Sequence, residues 1–192
     1  MPKRSDYDAE RLRGVLQAQR QVVTRTQALL CGMPHSTVDR YAAPGGRWQR
    51  LLPGVYLALT GTATQDQRDL AALLYAGRRS LLTGSAAMRR HHLRPAGPDV
   101  VDVLIPWERS RQSTGFVRIY RTQRMPERLF VAGRIRFAKV PRAVADAARG
   151  LTRFDDVRQV VCEAVQHRAC SVAELTEELE AGPVSLDSRC SN

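Results

Sequence analysis

The chain has 192 residues and a mass of 21.5 kDa, enough for one medium-sized domain or two small ones. Hydrophobic residues make up 43% of it and charged residues 26%, which allows a buried core. No apolar run approaches the roughly 18 residues of a membrane span, and residues 1–12 lack the apolar segment of a secretory signal. The four cysteines form no Cys-x-x-Cys pair, which argues against a zinc ribbon or a disulfide framework and indicates the cytoplasm.

The basic charge is unevenly distributed along the chain. Residues 1–60 contain nine Lys/Arg and four Asp/Glu, residues 61–150 contain seventeen and seven, and residues 151–192 contain four and eight. Of the 30 basic residues 28 are arginine, whose planar fork suits phosphates and guanine edges. GC-rich codon usage is an alternative explanation for the amount of arginine, but it does not explain the distribution. We therefore expect the first 150 residues to attract a polyanion.

Three short helices and a β-hairpin are predicted for the first 60 residues. Apolar residues recur at helical spacing, and Thr24 and Gly32 are typical of an N-cap and a C′ glycine. A turn at Pro53-Gly54 separates two short β segments. The expected elements are helices over 7–20, 25–31 and 35–43 and strands over 47–51 and 55–58. This order predicts a winged helix-turn-helix domain over residues 1–60.

Helices and strands are mixed in the remainder of the chain. The expected helices cover 64–76, 84–88, 141–150, 155–168 and 171–180, and the expected strands cover 99–105, 116–121 and 134–137. They predict a small mixed α/β domain with C-terminal helices over residues 61–182, followed by a loose tail over 183–192. The predicted fold class of the whole chain is α+β.

A helix-turn-helix inserts its second helix into the major groove of DNA, where the first residues of that helix reach base edges. The start of the preceding helix favours a phosphate, and the wing reaches the adjacent groove or backbone. The residues predicted to bind DNA are Arg25, Thr26, His35, Ser36, Thr37, Arg40, Arg47, Gln49 and Arg50. Trp48 is expected in the core, and Asp39 on the second helix would repel phosphate. The prediction requires Arg25, Arg40, Arg47 and Arg50 to lie on one convex edge, free of internal ion pairs.

We find no motif that predicts an enzyme. A restriction-type nuclease needs an acidic-x-Lys triplet, which the chain lacks. Gly84-Ser85 followed by Asp99 and Asp102 resembles a nucleotidyltransferase motif, but the aspartates are three residues apart and would point to opposite faces of a strand. His91 and His92 have no Cys or Glu at ligand spacing. We therefore predict no catalytic residue, no metal site and no cofactor.

Several segments together resemble one protein family over roughly residues 10–180. They are VVTRTQALLCGM, GRWQRLLPGVY, QRDLAALLYAG, LLTGSAAMRRHHL, VDVLIP, FVRIYRT and VPRAVADAARG. The chain resembles the AbiEi-type antitoxins, the transcriptional regulators of type IV toxin–antitoxin systems, and GRWQRLLPGVY is the most specific segment. Relatives often have a second helix richer in arginine than HSTVDRYAAPGG, and many continue into a C-terminal nuclease domain where this sequence ends at GPVSLDSRCSN.

The resemblance implies a winged helix-turn-helix that binds inverted repeats in its own promoter and represses transcription. It also implies an α/β domain that counters a nucleotidyltransferase-like toxin without forming a stable complex with it. Two alternatives stay open. One is a basic RNA-binding or ribosome-associated module centred on residues 61–150, for which Phe116 and Tyr120 are the expected exposed aromatics. The other is a non-catalytic fragment of a longer nuclease fusion.

Overall fold

The computed structural model describes residues 7–181 and the backbone of Ser185–Leu186. This part of the chain forms eight helices and two sheets, which confirms the predicted α+β class. The helices are α1 Ala9–Ala18, α2 Arg25–Leu30, α3 His35–Ala42, α4 Gln65–Ala76, α5 Gly84–Arg90, α6 Val140–Arg149, α7 Phe154–Gln166 and α8 Val172–Glu180. All eight were expected from the sequence, with boundaries that agree to within two residues. Among the described residues, no helix is long and apolar enough to span a membrane.

Nine short strands form the two sheets of the described chain. They are β1 Val22–Thr24, β2 Gln49–Leu52, β3 Val55–Leu57, β4 Leu81–Leu82, β5 Val101–Pro106, β6 Val117–Thr122, β7 Leu129–Ala132, β8 Ile135–Ala138 and β9 Ser185–Leu186. The first sheet is antiparallel and has the order β1-β3-β2. The second is mixed and has the order β7-β8-β4-β5-β6-β9. Strands β1, β4, β7 and β9 were not predicted; β9 lies in the expected tail over 183–192, and the rest of that tail lies outside the described residues.

The chain divides into two compact units, residues 1–75 and residues 76–192. The first unit therefore ends later than residue 60, where the sequence places the domain boundary. Helix α4 accounts for most of the difference, because the Gln67 side chain donates a hydrogen bond to the Arg20 carbonyl at 3.0 Å. A salt bridge of 2.8 Å between Asp66 and Arg20 adds a second link to the first helices.

The first unit has its own hydrophobic core, to which α1, β1, α2, α3 and β3 contribute. Its buried members include Val23, Ala28, Val38 and Trp48. Thr24 is the N-cap of α2, as predicted, and it also forms a capping box with Gln27. Trp48 is 6% exposed, which confirms its core position.

Backbone hydrogen bonds fix the positions of two segments that follow α3, the residues before β2 and the hairpin turn at Gly54. The Trp48 N–H donates to the Tyr41 carbonyl at 2.8 Å, which ties the residue before β2 to the last turn of α3. As a result β2 begins at Gln49, two residues later than predicted. Gly54 has a φ of +71°, and its carbonyl accepts the Arg25 N–H at 2.8 Å.

The second unit is built on the parallel pair β5 and β6. Every residue of β5 is buried, as expected for a strand covered on both faces. Helices α5 and α6 pack against each other, and a buried hydrogen bond of 2.5 Å joins Thr83 to Asp146. Tyr120 on β6 is 2% exposed, so the prediction that it is an exposed aromatic is wrong. The cause is that β6 lies inside the sheet, where an alternating pattern does not mark a solvent face.

Candidate nucleic-acid interface

The start of α2 is largely occupied by hydrogen bonds within the first unit. The Thr24 hydroxyl accepts the Gln27 N–H at 3.1 Å, and the Gln27 side chain accepts the Thr24 N–H at 2.9 Å. The Arg25 N–H donates to the hairpin turn at Gly54. The Arg25 N–H is therefore not available to the phosphate that was expected at this helix start, because the Gly54 carbonyl accepts it. Thr26, the next residue, is exposed.

Arg25 forms an ion pair with Asp39 on α3. Its guanidinium donates to the two carboxylate oxygens at 2.5 and 3.2 Å, and one of its nitrogens lies 3.3 Å from His35 Nδ1. The pair lowers the pKa of Asp39, mainly through the hydrogen bond from Arg25, with a further contribution from the charge of Arg50. It also raises the pKa of Arg25. One of the four arginines that were expected to be free of internal ion pairs is therefore neutralised.

Two arginines lie over the same aromatic ring. The guanidinium carbons of Arg40 and Arg47 are 5.8 and 5.3 Å from the centroid of the Tyr41 ring. Tyr41 in turn packs edge-to-face on Trp48, with ring centroids 5.4 Å apart. The Tyr41 ring attracts both guanidinium groups through cation–π interactions, and the side chains of Arg40 and Arg47 stay exposed.

Arg40, Arg47 and Arg50 are exposed and form no ion pair with any residue that the structure describes. Arg50 is close enough to Asp39 for its charge to act on that carboxyl. A groove of about 690 Å³ runs between the end of α3 and β2, lined by Asp39, Trp48, Gln49, Arg50 and the segment 42–46. The contacts thus bring Arg25 and Arg50 to Asp39, and Arg40 and Arg47 to the ring of Tyr41.

The other predicted DNA-binding residues have different surroundings. His35 and Ser36 are exposed on the first turn of α3, and Thr37 is half-buried. The Gln49 amide donates to the carbonyls of Leu59 and Gly61, at 2.9 and 2.7 Å. Its nitrogen therefore holds the chain that follows the hairpin.

The residues that resemble a nucleotidyltransferase motif serve to hold the second unit together. Asp102 is buried and accepts the Ser85 N–H at 2.9 Å and a hydrogen bond from Arg118 at 2.8 Å. Burial raises its pKa despite these partners. Asp99 lies outside strand β5 and is exposed. The prediction that the two aspartates lie on opposite faces of one strand is therefore wrong for Asp99, because β5 begins only at Val101.

His91 is held in an aromatic cluster of the second unit. Its ring centroid lies 5.1 Å from that of Phe130 and 5.1 Å from that of Phe137. Its Nε2 lies 2.8 Å from the Ala138 carbonyl oxygen. Packing and this hydrogen bond fix the position of the His91 ring.

Sequence reasoning missed three features of these surfaces. The Arg25–Asp39 pair joins residues 14 positions apart, and no local pattern indicates it. The exposed positions of Trp107 and Phe130 were not predicted either; their side chains are 56% and 48% exposed. Comparisons of the chain with protein-family models and with curated proteins found no match.

Proposed function

We propose that this protein is a sequence-specific DNA-binding autorepressor that acts as the antitoxin of a type IV toxin–antitoxin pair. In this proposal α2 and α3 are a helix-turn-helix and the β2–β3 hairpin is its wing. The observation that carries it is the set of exposed arginines without acidic partners around α3 and the hairpin, Arg40, Arg47 and Arg50. Such cations neutralise phosphates and release counterions.

Each part of the surface has a distinct role in the proposal. Helix α3 enters the major groove, and the exposed polar side chains of its first turn, His35 and Ser36, reach base edges. Arg40 contacts a phosphate or a guanine edge, while Arg47 and Arg50 bind the neighbouring backbone. Arg25 neutralises Asp39, which removes most of the repulsion that this carboxylate would exert on DNA. We propose inverted repeats in the protein's own promoter as the target.

The antitoxin role is supported by the segments that resemble the AbiEi-type antitoxins, above all GRWQRLLPGVY. In this proposal a nucleotidyltransferase-like toxin is the functional partner, and no stable complex with it is required. The protein acts in the cytoplasm, with neither catalysis nor a cofactor.

Band-shift titrations with the duplex upstream of the gene test the DNA-binding proposal. Arg40→Ala and Arg50→Ala should each lower affinity about tenfold or more and reduce the salt slope by about one phosphate contact. The matched control is Arg13→Ala, which removes an exposed arginine of α1 that is not among the residues proposed to bind DNA. If both interface variants bind the duplex as tightly as the parent, the interface is wrong.

RNA binding by the second unit is a second candidate function, and the exposed rings of Trp107 and Phe130 favour it. Exposed aromatics beside arginines can stack unpaired bases. Competition between the upstream duplex and a structured RNA separates the two functions. The autorepressor proposal predicts that the duplex displaces the RNA, and preferential binding of the RNA would favour this alternative.

A further inference from the structure

A cleft of about 360 Å³ lies in the second unit. One wall is the segment 124–128 that follows β6. The other wall is formed by the first residues of α6 together with Glu178 of α8. Four of the nine residues that line it are cationic: Arg124, Arg128, Lys139 and Arg142. A volume of this size is typical of small-molecule sites, which start at about 300 Å³.

Internal ion pairs account for only half of these cations. Glu178 pairs with both Arg124 and Arg142, the latter at 3.3 Å. Arg142 is also fixed by its hydrogen bond of 2.8 Å to Asp146, and it is 4% exposed. These contacts satisfy Glu178 and make Arg142 a rigid part of the wall.

The two remaining cations, Arg128 and Lys139, are exposed and form no ion pair with any residue in the described part of the chain. The lining as a whole holds four basic and two acidic residues, so its net charge is +2. A cleft with this charge attracts an anion.

The start of α6 adds to this positive field. Helix α6 has ten residues, no side-chain hydrogen bond at its N-cap and no acidic residue in its first turn. Its N-cap residue is Lys139, so a cation occupies the position where acidic or hydroxyl side chains usually compensate the helix dipole. Pro141 contributes no N–H, which leaves the amides of Val140 and Arg142 as the first donors of the helix.

We infer that this cleft binds the phosphate of a small phosphomonoester. A phosphomonoester carries a charge of about −1.5 to −2 at neutral pH, which matches the net charge of the lining, whereas a phosphodiester carries only about −1. The apolar side chains of Met125, Pro126 and Pro141 in the same lining offer a surface for the organic part of the ligand. The inference does not depend on the proposed DNA-binding function, because every residue that carries it belongs to the second unit.

Calorimetric titration of the full chain with AMP, inorganic phosphate and 3′,5′-cyclic AMP tests the inference. AMP should bind at least about tenfold more tightly than cyclic AMP, which has the same nucleoside but a singly charged diester. If inorganic phosphate binds as well as AMP, the site recognises the phosphate alone, and the inference holds. Equal affinity for AMP and cyclic AMP, or no binding of AMP and phosphate, would overturn it.

Variants locate the binding in the cleft. Arg128→Ala and Lys139→Ala should each weaken AMP binding about tenfold or more. At the same AMP concentration, the Val140 and Arg142 amide resonances should therefore shift less in these two variants than in the parent. Arg134→Ala removes an exposed arginine just after β7 that does not line the cleft, and it should bind AMP like the parent. Circular dichroism and thermal unfolding confirm that each variant is folded. AMP affinity that is unchanged in both cleft variants, or equally reduced by Arg134→Ala, would place the binding elsewhere.

Discussion

Replacement of Asp39 by asparagine separates the Arg25–Asp39 pair from the other contributions to DNA binding. In the parent, the Arg25 guanidinium donates to both oxygens of the Asp39 carboxylate. Asparagine keeps the size of the side chain and removes its charge. Arg25 then keeps its charge without a carboxylate partner, beside His35 at the start of α3, and α3 loses the carboxylate that repels phosphate. We expect Asp39→Asn to bind duplex DNA more tightly at low salt.

The magnitude follows from counterion release. One additional cation–phosphate contact makes the slope of log K against log salt concentration steeper by about 0.9. Between 50 and 200 mM salt, a fourfold change, the variant should therefore lose about 3.5-fold more affinity than the parent. Fluorescence-anisotropy titrations of a labelled upstream duplex at four salt concentrations resolve a difference of this size.

The control for Asp39→Asn is Glu10→Gln, which removes the same charge from an exposed residue of α1 that has no arginine partner in the described chain. It should leave the salt slope close to that of the parent. An unchanged slope in Asp39→Asn, or an equal change in Glu10→Gln, would refute the reasoning. Lower affinity of Asp39→Asn at every salt concentration would also contradict it, because the carboxylate would then be needed for binding.

Three further changes test the fold itself. Gly84→Ala should lower the free energy of unfolding by more than about 1 kcal/mol in urea titrations, because Gly84 has a φ of +50° and a Cβ there would lie 2.6 Å from Asp102 Oδ2. Gly14→Ala should raise the free energy of unfolding by about 0.5–1 kcal/mol, since no atom lies within 4 Å of a Cβ at this helical position. A more stable Gly84→Ala variant or a less stable Gly14→Ala variant would contradict the local geometry. The Ser171 N–H lowers the pKa of Glu174 below its usual 4.5, so this interaction stabilises the fold above about pH 4.5 and is lost as the pH falls through the folded-state pKa. The melting temperature of Glu174→Gln should therefore be lower than that of the parent at pH 7 and equal to it in strong acid. A difference in melting temperature that persists in acid would show that it has another cause.

The helices could be predicted from the sequence because the residues that begin and end a helix are close together in the chain. Thr24 and Gln27 lie three residues apart and form the capping box that their spacing suggests. Ser171 and Glu174 do the same at the start of α8. Pro53 was read as part of a turn, and the hairpin is present.

Strands β4 and β1 were not predicted because they are short and are strands only through their pairing with neighbouring strands. Strand β4 has two residues, and it is a strand only because β5 and β8 pair with it on either side. Strand β1 has three residues and runs directly into α2, so no alternation is visible in it. A strand of this length carries too little pattern for local reasoning.

In the candidate interface, too, the contacts between residues distant in sequence could not be predicted. Arg40 and Arg50 were expected to be exposed cations, and they are. The pairing of Arg25 with Asp39 depends on how α2 and α3 pack together, and the hydrogen bonds of Gln49 depend on the path of the chain ten and twelve residues later. Charge at single positions could be read from the sequence, but the partners of those charges could not.

Hydrogen–deuterium exchange of the full chain, with and without the upstream duplex, tests the proposed interface most directly. We predict slower exchange in peptides that cover α3 and the β2–β3 hairpin, with smaller changes elsewhere. Protection confined to peptides from residues 76–181, or none at a salt concentration where the duplex is bound, would contradict the assignment of DNA binding to the first unit.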